Sequence, residues 1–390
     1  MQRGFLNRNI NRKKQMNAFR RLIFYCLPIV LGTLSINCSA GSGQRADADS
    51  ALIDSAASGN ITENRRDSDL TIAMVGDIMM GTTYPKGGHN LTADDGASLF
   101  KDVKEIFQRV DITAGNLEGC LFDGEGKVKP CYNPKRFFAF KMPERYVKHL
   151  VDAGFDFVSV ANNHINDFGP EALEATQRVL KEAGIAFAGV ADTQPTTIVE
   201  KDGRKIGFAA FGFDPGMPRI TDYETLRALV SGLKKECDIV VVSFHGGNEG
   251  EEYQHVPHKP EGSSRGDVEK FAHTAVEAGA DVVYGHSPHV PRGLELYNDR
   301  IIFYSLGNFC TPYRFNLAEI RNYAPVAEVT LKPDGRFAKG KIHSFIQSSG
   351  VGPRKDTTLR VPRKMRDLTK ADFPNTPIEI SDQGDIVRKQ

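Results

Sequence analysis

Residues whose side chains can bind a metal or transfer a proton follow several apolar, strand-like segments of this 390-residue chain. Taken singly, each is more often a helix cap, a loop acid or a core group, so any site depends on their coming together. As a set they are mixed oxygen and nitrogen donors, which suit Mn, Fe or Zn better than Mg alone. The set consists of Asp77, Glu118, Asn163, His245, His286 and His289.

The segments before these residues are short apolar runs rich in Val, Ile and Phe, such as "LTIAMV", "FDFVSVA" and "CDIVVVSF". They alternate with segments whose apolar spacing of three and four predicts helices. This alternation predicts a layered α/β sheet, and the carboxyl ends of its strands form the edge where ligands bind. We therefore expect the polar residues that end these strands to meet at one edge.

Two divalent cations at that edge would need a carboxylate between them, and Asp77 and Glu118 are the candidates. The remaining positive field would attract an anionic group and acidify a water molecule, which is the predicted nucleophile. His164, directly after Asn163, is predicted to act as a general acid, with Asp167 holding its other ring nitrogen. The alternative for this last pair is a simple hydrogen bond within the loop.

The motifs at these positions resemble those of the CapA-type poly-γ-glutamate capsule biosynthesis proteins. The resemblance covers about residues 70 to 315. It implies a four-layer αββα sandwich of the calcineurin-like metallophosphoesterase type, with two metal ions at the strand ends. The matching segments are "VGDIMMG" (75–81), "GNLEG" (115–119), "ANNHINDFG" (161–169), "SFHGGNE" (243–249), "GADVVYGHSPHV" (279–290) and "IIFYSLGNF" (301–309).

The sequence departs from the resembled pattern at three positions, and one of them is Glu118, which stands where the wider superfamily has a bridging Asp. Met79 stands where the wider superfamily has a metal-binding His, and Gly246 stands where the family has Trp, which is expected to open the pocket on one side. We predict that Glu249, on a rim loop, contacts the substrate. Arg292 could meet a phosphate group, although an exposed rim arginine is the simpler interpretation.

The N-terminus is basic, with no Asp or Glu before Asp47, and leads into the apolar run of residues 22–36. A membrane-spanning helix needs roughly 20 apolar residues, so this shorter run is typical of an export signal. Cys38 follows the run and is the predicted lipid-attachment site. Residues 1–38 are thus predicted to be a signal or lipoprotein leader. Ordinary cleavage or retention as an anchor are the alternatives, and translation could start at Met1 or Met16. We expect an exported lipoprotein that faces the periplasm or the cell exterior.

The remaining chain divides by composition. Residues 39–69 have few large apolar side chains and are predicted to be a flexible tether. We predict a domain over residues 70–350 and a C-terminal extension over 351–390 that packs on it or trails from it. Cys120 and Cys131 could form a disulfide in an exported protein, or they could be free thiols. Cys237 and Cys310 lie beside apolar strands and are expected to be buried and unpaired.

The formal net charge of +1, from 50 basic and 49 acidic residues, argues against a general nucleic-acid-binding surface. The leading expectation is a metal-dependent hydrolase that acts on an anionic envelope or capsule polymer, at an amide or phosphoester bond. A membrane-bound capsule synthase is a possible partner. The first alternative is a non-enzymatic capsule-assembly component with a degenerate metal site. The second is a periplasmic phosphoesterase.

Overall fold

The computed structural model describes residues 67–86, 90–134, 137–256 and 265–389. The predicted leader, the lipidation of Cys38 and most of the predicted tether lie outside these residues. The first strand begins at Leu70, where the sequence predicts that the folded part starts. No helix in the described ranges has the length and apolarity needed to cross a bilayer.

The helices and strands alternate along the chain, as the sequence predicts. The helices are α1 (Lys104–Arg109), α2 (Val147–Ala153), α3 (Pro170–Glu182), α4 (Tyr223–Glu236), α5 (Val268–Glu277) and α6 (Arg360–Asp372). The strands are β1 (Leu70–Ile78), β2 (Ile112–Leu117), β3 (Cys120–Leu121), β4 (Lys141–Met142), β5 (Phe157–Ser159), β6 (Ala186–Ala188), β7 (Thr196–Lys201), β8 (Arg204–Phe211), β9 (Ile239–His245), β10 (Val282–His286), β11 (Leu294–Tyr297), β12 (Arg300–Phe303), β13 (Asn308–Cys310), β14 (Val326–Leu331), β15 (Phe337–His343), β16 (Phe345–Ser348), β17 (Val351–Lys355), β18 (Ile378–Ile380) and β19 (Asp385–Arg388).

Two large sheets form the centre of the fold. The first has nine strands in the order β18-β19-β15-β14-β1-β2-β5-β6, with β13 paired to β1, and the second has six in the order β11-β12-β10-β9-β8-β7. Apolar side chains of both sheets belong to one buried cluster. Within it the ring of Phe157 on β5 stacks on that of Phe208 on β8, with centroids 4.1 Å apart. The sheets therefore pack face to face.

Helices cover the outer faces of both sheets. Phe271 of α5 packs against Phe211 of β8 and Phe244 of β9, at ring-centroid distances of 5.2 and 5.4 Å. On the other side Phe107 of α1 lies 6.0 Å from Phe309 of β13. The layer order is helix, sheet, sheet, helix, so the predicted α/β four-layer αββα sandwich is confirmed.

The C-terminal segment is part of the first sheet. The hairpin β18–β19 pairs with β15, and α6 packs between β11 and β15. The predicted boundary at residue 350 falls in the turn between β16 and β17, which pair with each other. Residues beyond that boundary therefore complete the sandwich.

Candidate metal centre

Asp77 lies at the centre of the cluster that the sequence points to. It is at the carboxyl end of β1, where the parallel register places Asn116 of β2 beside it on one side and Asn308 of β13 on the other. All three side chains are fully buried. The amide Nδ2 of Asn116 donates to Asp77 Oδ1 at 2.8 Å, which fixes the orientation of the carboxylate.

The first carboxylate oxygen of Asp77 faces two histidines of the second sheet. Its Oδ1 lies 3.9 Å from His245 Nδ1 and 3.8 Å from His286 Nδ1. The two imidazoles are neighbours because His245 ends β9 and is paired in register with His286, which ends the parallel strand β10. All three residues are fully buried, and one atom of each could bind the same metal ion. We call Asp77, His245 and His286 the buried triad.

The second carboxylate oxygen of Asp77 faces a different pair of residues. His289 Nδ1 lies 3.0 Å from Asp77 Oδ2, and His289 Nε2 lies 3.9 Å from Glu118 Oε1. Glu118 directly follows β2 and is fully buried, whereas the side chain of His289 is 18% exposed. We call Asp77, Glu118 and His289 the cleft-side triad, and its three ligand atoms also lie close enough to share one ion.

Several buried polar atoms around the two triads have no hydrogen-bond partner in the described part of the chain. They are both carboxylate oxygens of Glu118, His245 Nε2, Asn163 Oδ1 and Asn308 Oδ1. Buried polar groups are normally paired, and leaving one unpaired costs about 1–3 kcal/mol. Carboxylate, amide and imidazole lone pairs are the donors that a divalent transition-metal ion accepts. The residues present therefore fit such a metal.

Burial and neighbouring charges shift the pKa values of both triads. Burial, with the nearby His286, lowers the pKa of His245 far below its usual value, and burial lowers the pKa of His286 to about 4. Burial and the Asp77 charge raise the pKa of Glu118. Burial lowers the pKa of His289, but Glu118 and Asp77 outweigh it and raise the value to about 10. These shifts favour the neutral imidazole in the buried triad, which is the form that binds a cation, and the carboxylates favour a positive charge beside them.

His164 and Asp167 form the contact that the sequence predicts. The distance from His164 Nδ1 to Asp167 Oδ2 is 2.7 Å, and Asp167 Oδ2 also accepts from the backbone N–H of Phe140 at 2.7 Å. Asp167 Oδ1 forms an ion pair with Lys129 Nζ at 2.5 Å. The other ring nitrogen, His164 Nε2, lies 4.0 Å from Glu118 Oε1. Burial lowers the pKa of His164, although Asp167 opposes the shift.

A cleft of about 760 Å³ opens at the cleft-side triad. Four of the predicted site residues line it, namely Asn163, His164, Glu249 and His289. Glu249 Oε1 is 3.9 Å from His289 Nε2 and forms an ion pair with Arg265 at 2.7 Å. Burial raises the pKa of Glu249, but His289 and Arg265 outweigh it and lower the pKa below its usual value. The cleft thus gives access to one triad and to the His164–Asp167 pair.

Comparison with known proteins identifies the family of the chain. The family model described as "Bacterial capsule synthesis protein PGA_cap" matches residues 71–313, which is more than half of the chain. The chain belongs to this family. It is similar to the PGA biosynthesis protein CapA of Bacillus subtilis, with 28% identity over 92% of this chain and 89% of the relative. It is also similar to the capsule biosynthesis protein CapA of Bacillus anthracis, with 30% identity over 63% of this chain and 61% of the relative.

Among solved structures, a hypothetical protein from Thermus thermophilus matches 71% of this chain and all of its own length. The TM-score is 0.45 at 16% identity. A 5'-nucleotidase precursor from the same organism matches 72% of this chain and 55% of its own, with a TM-score of 0.41 at 13% identity.

The structure of this family member corrects the prediction for Arg292. Its side chain is fully buried, and its Nε donates to the backbone carbonyl of Tyr253 at 2.9 Å. The guanidinium packs against the backbone at Gly247 and does not line the cleft. Arg292 therefore supports the rim loop from behind and is not placed to contact a substrate.

The expected opening beside Gly246 is also absent from the described residues. Where the family has Trp, the side chain of Ile220 fills the space, and even a Cβ atom at Gly246 would clash with Ile220 Cδ1. Met79 is fully buried, as expected for an apolar residue at the position of the missing His. The pocket is therefore not widened on this side.

Of the two alternatives for Cys120 and Cys131, the disulfide is not formed in this structure and the free thiols are present. Cys120 and Cys131 are free thiols, the first buried and the second exposed. Cys120 belongs to β3, and its Sγ donates to the carbonyl of Phe140 at 3.3 Å, so it points into the core, whereas Cys131 lies at the surface. Cys237 and Cys310 are buried and unpaired, as predicted.

Sequence reasoning missed several residues of the site. Asn116 and Asn308 flank Asp77, and each directly follows a Gly, which is a repeated signal in the sequence. Lys129 and Arg265 hold Asp167 and Glu249 by ion pairs. Both basic residues lie in loops without a recognisable motif, so the sequence carries no comparable signal for them.

Proposed function

We propose that this protein is a metal-dependent hydrolase that acts on an anionic envelope or capsule polymer outside the cytoplasm. The main observation behind the proposal is that the two carboxylate oxygens of Asp77 face two separate groups of candidate ligands. A shared carboxylate between two ligand sets is the arrangement that a pair of divalent cations needs. The orphaned oxygens of Glu118 and Asn163 support the same conclusion.

The buried triad would hold one cation and the cleft-side triad the other, with Asn163 as a further ligand. Two ions of Mn, Fe or Zn would polarise the scissile group and provide an activated water at neutral pH. The chain itself supplies the proton-handling group. His164 Nε2 is the free ring nitrogen on the cleft side, and Asp167 fixes the ring through Nδ1. We assign His164 the general-acid role toward the leaving group and Asp167 the orienting role.

Family membership supports a polymer substrate, since the relative from Bacillus subtilis is named for PGA biosynthesis. The bond cleaved could be a γ-linked amide or a phosphoester, and both leave an anionic product. A membrane-bound capsule synthase would be the partner, and a lipid on Cys38 would hold the protein at the membrane. Radioactive lipid labelling of the wild type and of Cys38→Ala, followed by cell fractionation, tests the anchor. Labelling that survives in Cys38→Ala would rule it out.

The enzymatic proposal is tested on the full-length protein in detergent. Metal content is measured by mass spectrometry, and hydrolysis is measured with a panel of phosphodiesters and with γ-linked glutamate oligomers. We expect up to two transition-metal ions per chain in the wild type. His164→Ala should keep the metal and lose turnover by about 10²–10⁴-fold, the usual contribution of general acid–base catalysis. A wild type that retains no transition metal would refute the proposal.

One observation favours a second candidate, a non-enzymatic assembly component. Met79 is buried where the superfamily has a metal ligand, so the ligand set is reduced. This candidate predicts that Asp77→Asn leaves the amount of surface polymer in cells unchanged, while deletion of residues 39–66 abolishes it. The hydrolase proposal predicts that Asp77→Asn alone alters the amount or length of the polymer.

A further inference from the structure

Arg314 differs from the other cations that line the cleft. Lys129, Arg265 and Arg321 each form an ion pair with a carboxylate of the protein: Asp167 at 2.5 Å, Glu249 at 2.7 Å and Glu251 at 3.3 Å, respectively. Arg314 also lines the cleft, but it is exposed and has no carboxylate within ion-pair distance in the described ranges. Its charge is therefore available to a ligand.

The guanidinium of Arg314 lies over an aromatic ring. Its central carbon is 5.7 Å from the centroid of Phe138, which is 40% exposed. A contact of this kind with a ring uses none of the N–H groups of the guanidinium in a hydrogen bond, so they stay available as donors. The N–H edge of a guanidinium matches the two oxygens of a carboxylate or a phosphate, to which arginine can donate two parallel hydrogen bonds. The residue is thus arranged to bind an anion.

A wall of aromatic rings links Arg314 to the candidate metal centre. Phe138 lies 6.4 Å from Phe140, and Phe140 stacks on Phe315 at 5.1 Å. Phe140 also packs on the ring of His164 at 4.2 Å, and Phe315 meets His289 edge-on at 5.1 Å. Arg314 is therefore connected to the candidate metal ligands by a continuous series of ring contacts.

We propose that Arg314, with Phe138 and Phe315, forms a subsite for a second anionic group of the substrate. The cleft then selects molecules that carry at least two negative charges, one at the metal centre and one at Arg314, over monoanionic compounds. The apolar wall contacts the chain that joins the two charges. This inference rests on the proposed function, because that function assigns the first anionic group to the metal centre.

Binding to the full-length protein in detergent, measured by calorimetry, tests the subsite. The probes are a γ-linked glutamate hexamer, a linear hexaphosphate and N-acetylglycine, which carries a single carboxylate. The variants are Arg314→Gln, which removes the charge, and Arg314→Lys, which keeps the charge without the planar edge. Arg363→Gln is the matched control, because Arg363 is a half-exposed arginine on α6 that does not line the cleft.

We expect Arg314→Gln to weaken binding of at least one hexamer by about tenfold, in the range of charge-assisted hydrogen bonds, and to leave N-acetylglycine unchanged. Arg314→Lys should recover part of the loss, and Arg363→Gln should bind like the wild type. The hexamer with the larger loss identifies the anionic group as carboxylate or phosphate.

The subsite proposal is refuted if the wild type binds neither hexamer, or if Arg314→Gln binds both as tightly as the wild type does. It is also refuted if Arg363→Gln loses as much affinity for the hexamers as Arg314→Gln does. Metal content and hydrolysis, measured in parallel, separate this failure from that of the proposed function. A wild type with metal and turnover but no dependence on Arg314 refutes only the subsite. A wild type without metal refutes the hydrolase even if Arg314 binds an anion.

Discussion

Replacing Asp77 by Asn should remove most of the stabilisation that metal ions give this protein. The substitution keeps the size of the side chain and an oxygen that can accept from Asn116 Nδ2, but it removes the carboxylate that both triads share. Without metal, it also removes a charge that raises the pKa of the buried Glu118, while it weakens the contact with His289. These two effects oppose each other, so we expect little change in the melting temperature of the metal-free protein.

The magnitude follows from mass action. A metal present at about 1,000 times its dissociation constant stabilises the folded state by about 4.1 kcal/mol. Loss of a residue that hydrogen-bonds to a metal ligand weakens metal binding by up to about 100-fold. Loss of a ligand that both metals share should weaken it at least as much. The stabilisation of the folded state by metal would then fall to about 1.4 kcal/mol. At about 2 °C per kcal/mol for a chain of this size, the metal-induced rise in melting temperature should drop from about 8 °C to about 3 °C.

The assay is thermal unfolding of the full-length protein after chelator treatment and again with Mn²⁺ or Zn²⁺. Asp222→Ala is the control. Asp222 caps α4 by accepting from Thr225 N at 3.0 Å, and loss of such a cap costs about 1 kcal/mol. The control should therefore melt lower in both conditions and keep the full metal-induced rise. A rise in Asp77→Asn equal to that of the wild type would show that Asp77 is not a ligand.

Three further predictions concern residues that are not metal ligands. Gly246→Ala places a Cβ against Ile220, and such overpacking should lower the free energy of unfolding by about 1–3 kcal/mol, measured with urea. A hydrogen bond from His343 lowers the pKa of Glu328 to about 2. This stabilisation is complete above about pH 4.5 and is lost as the pH falls toward 2. Between about pH 4.5 and 2, the free energy of unfolding should therefore fall by about 1–2 kcal/mol less in Glu328→Gln than in the wild type. Equal falls would show that the lowered pKa of Glu328 does not stabilise the protein. Because Cys131 is exposed, a thiol reagent should label it rapidly in the folded protein, and a peptide map that shows it disulfide-bonded would contradict the structure.

The sequence was sufficient to place Asp77 beside Glu118, and His245 beside His286, because each lies at or directly after the end of an apolar run. Parallel strands of one sheet share an edge, so residues in that position converge within the sheet whatever the loops between them do. The strand pattern does not predict which residues form the buried triad and which form the cleft-side triad. That grouping depends on how the two sheets pack, because His245 and His286 come from one sheet and Asp77 from the other. The roles of these residues as metal ligands stay predictions.

The errors have a common physical origin. The expectations for Arg292, Cys120 and Gly246 rest on their neighbours in sequence. The direction of each side chain, or the space beside it, is set instead by a residue distant in the chain. Arg292 donates to Tyr253, Cys120 donates to Phe140, and Ile220 fills the space beside Gly246. Strand position follows from local pattern, whereas side-chain direction follows from packing.

The donor sets of the two triads differ, and this difference predicts that the two positions hold different metals. The buried triad offers one carboxylate oxygen and two imidazoles whose pKa values are lowered by burial, and nitrogen-rich sets favour Zn²⁺ over Mn²⁺. The cleft-side triad has two carboxylates and lies at the solvent-accessible cleft through His289, so it should bind Mn²⁺ and exchange it faster. Dialysis against a weak chelator should therefore remove Mn before Zn. His245→Ala should lose Zn and keep Mn, and Glu118→Gln should do the reverse, with both metals quantified by mass spectrometry. Loss of both metals at one rate, or in equal proportion from both variants, would mean that the two triads act as a single site.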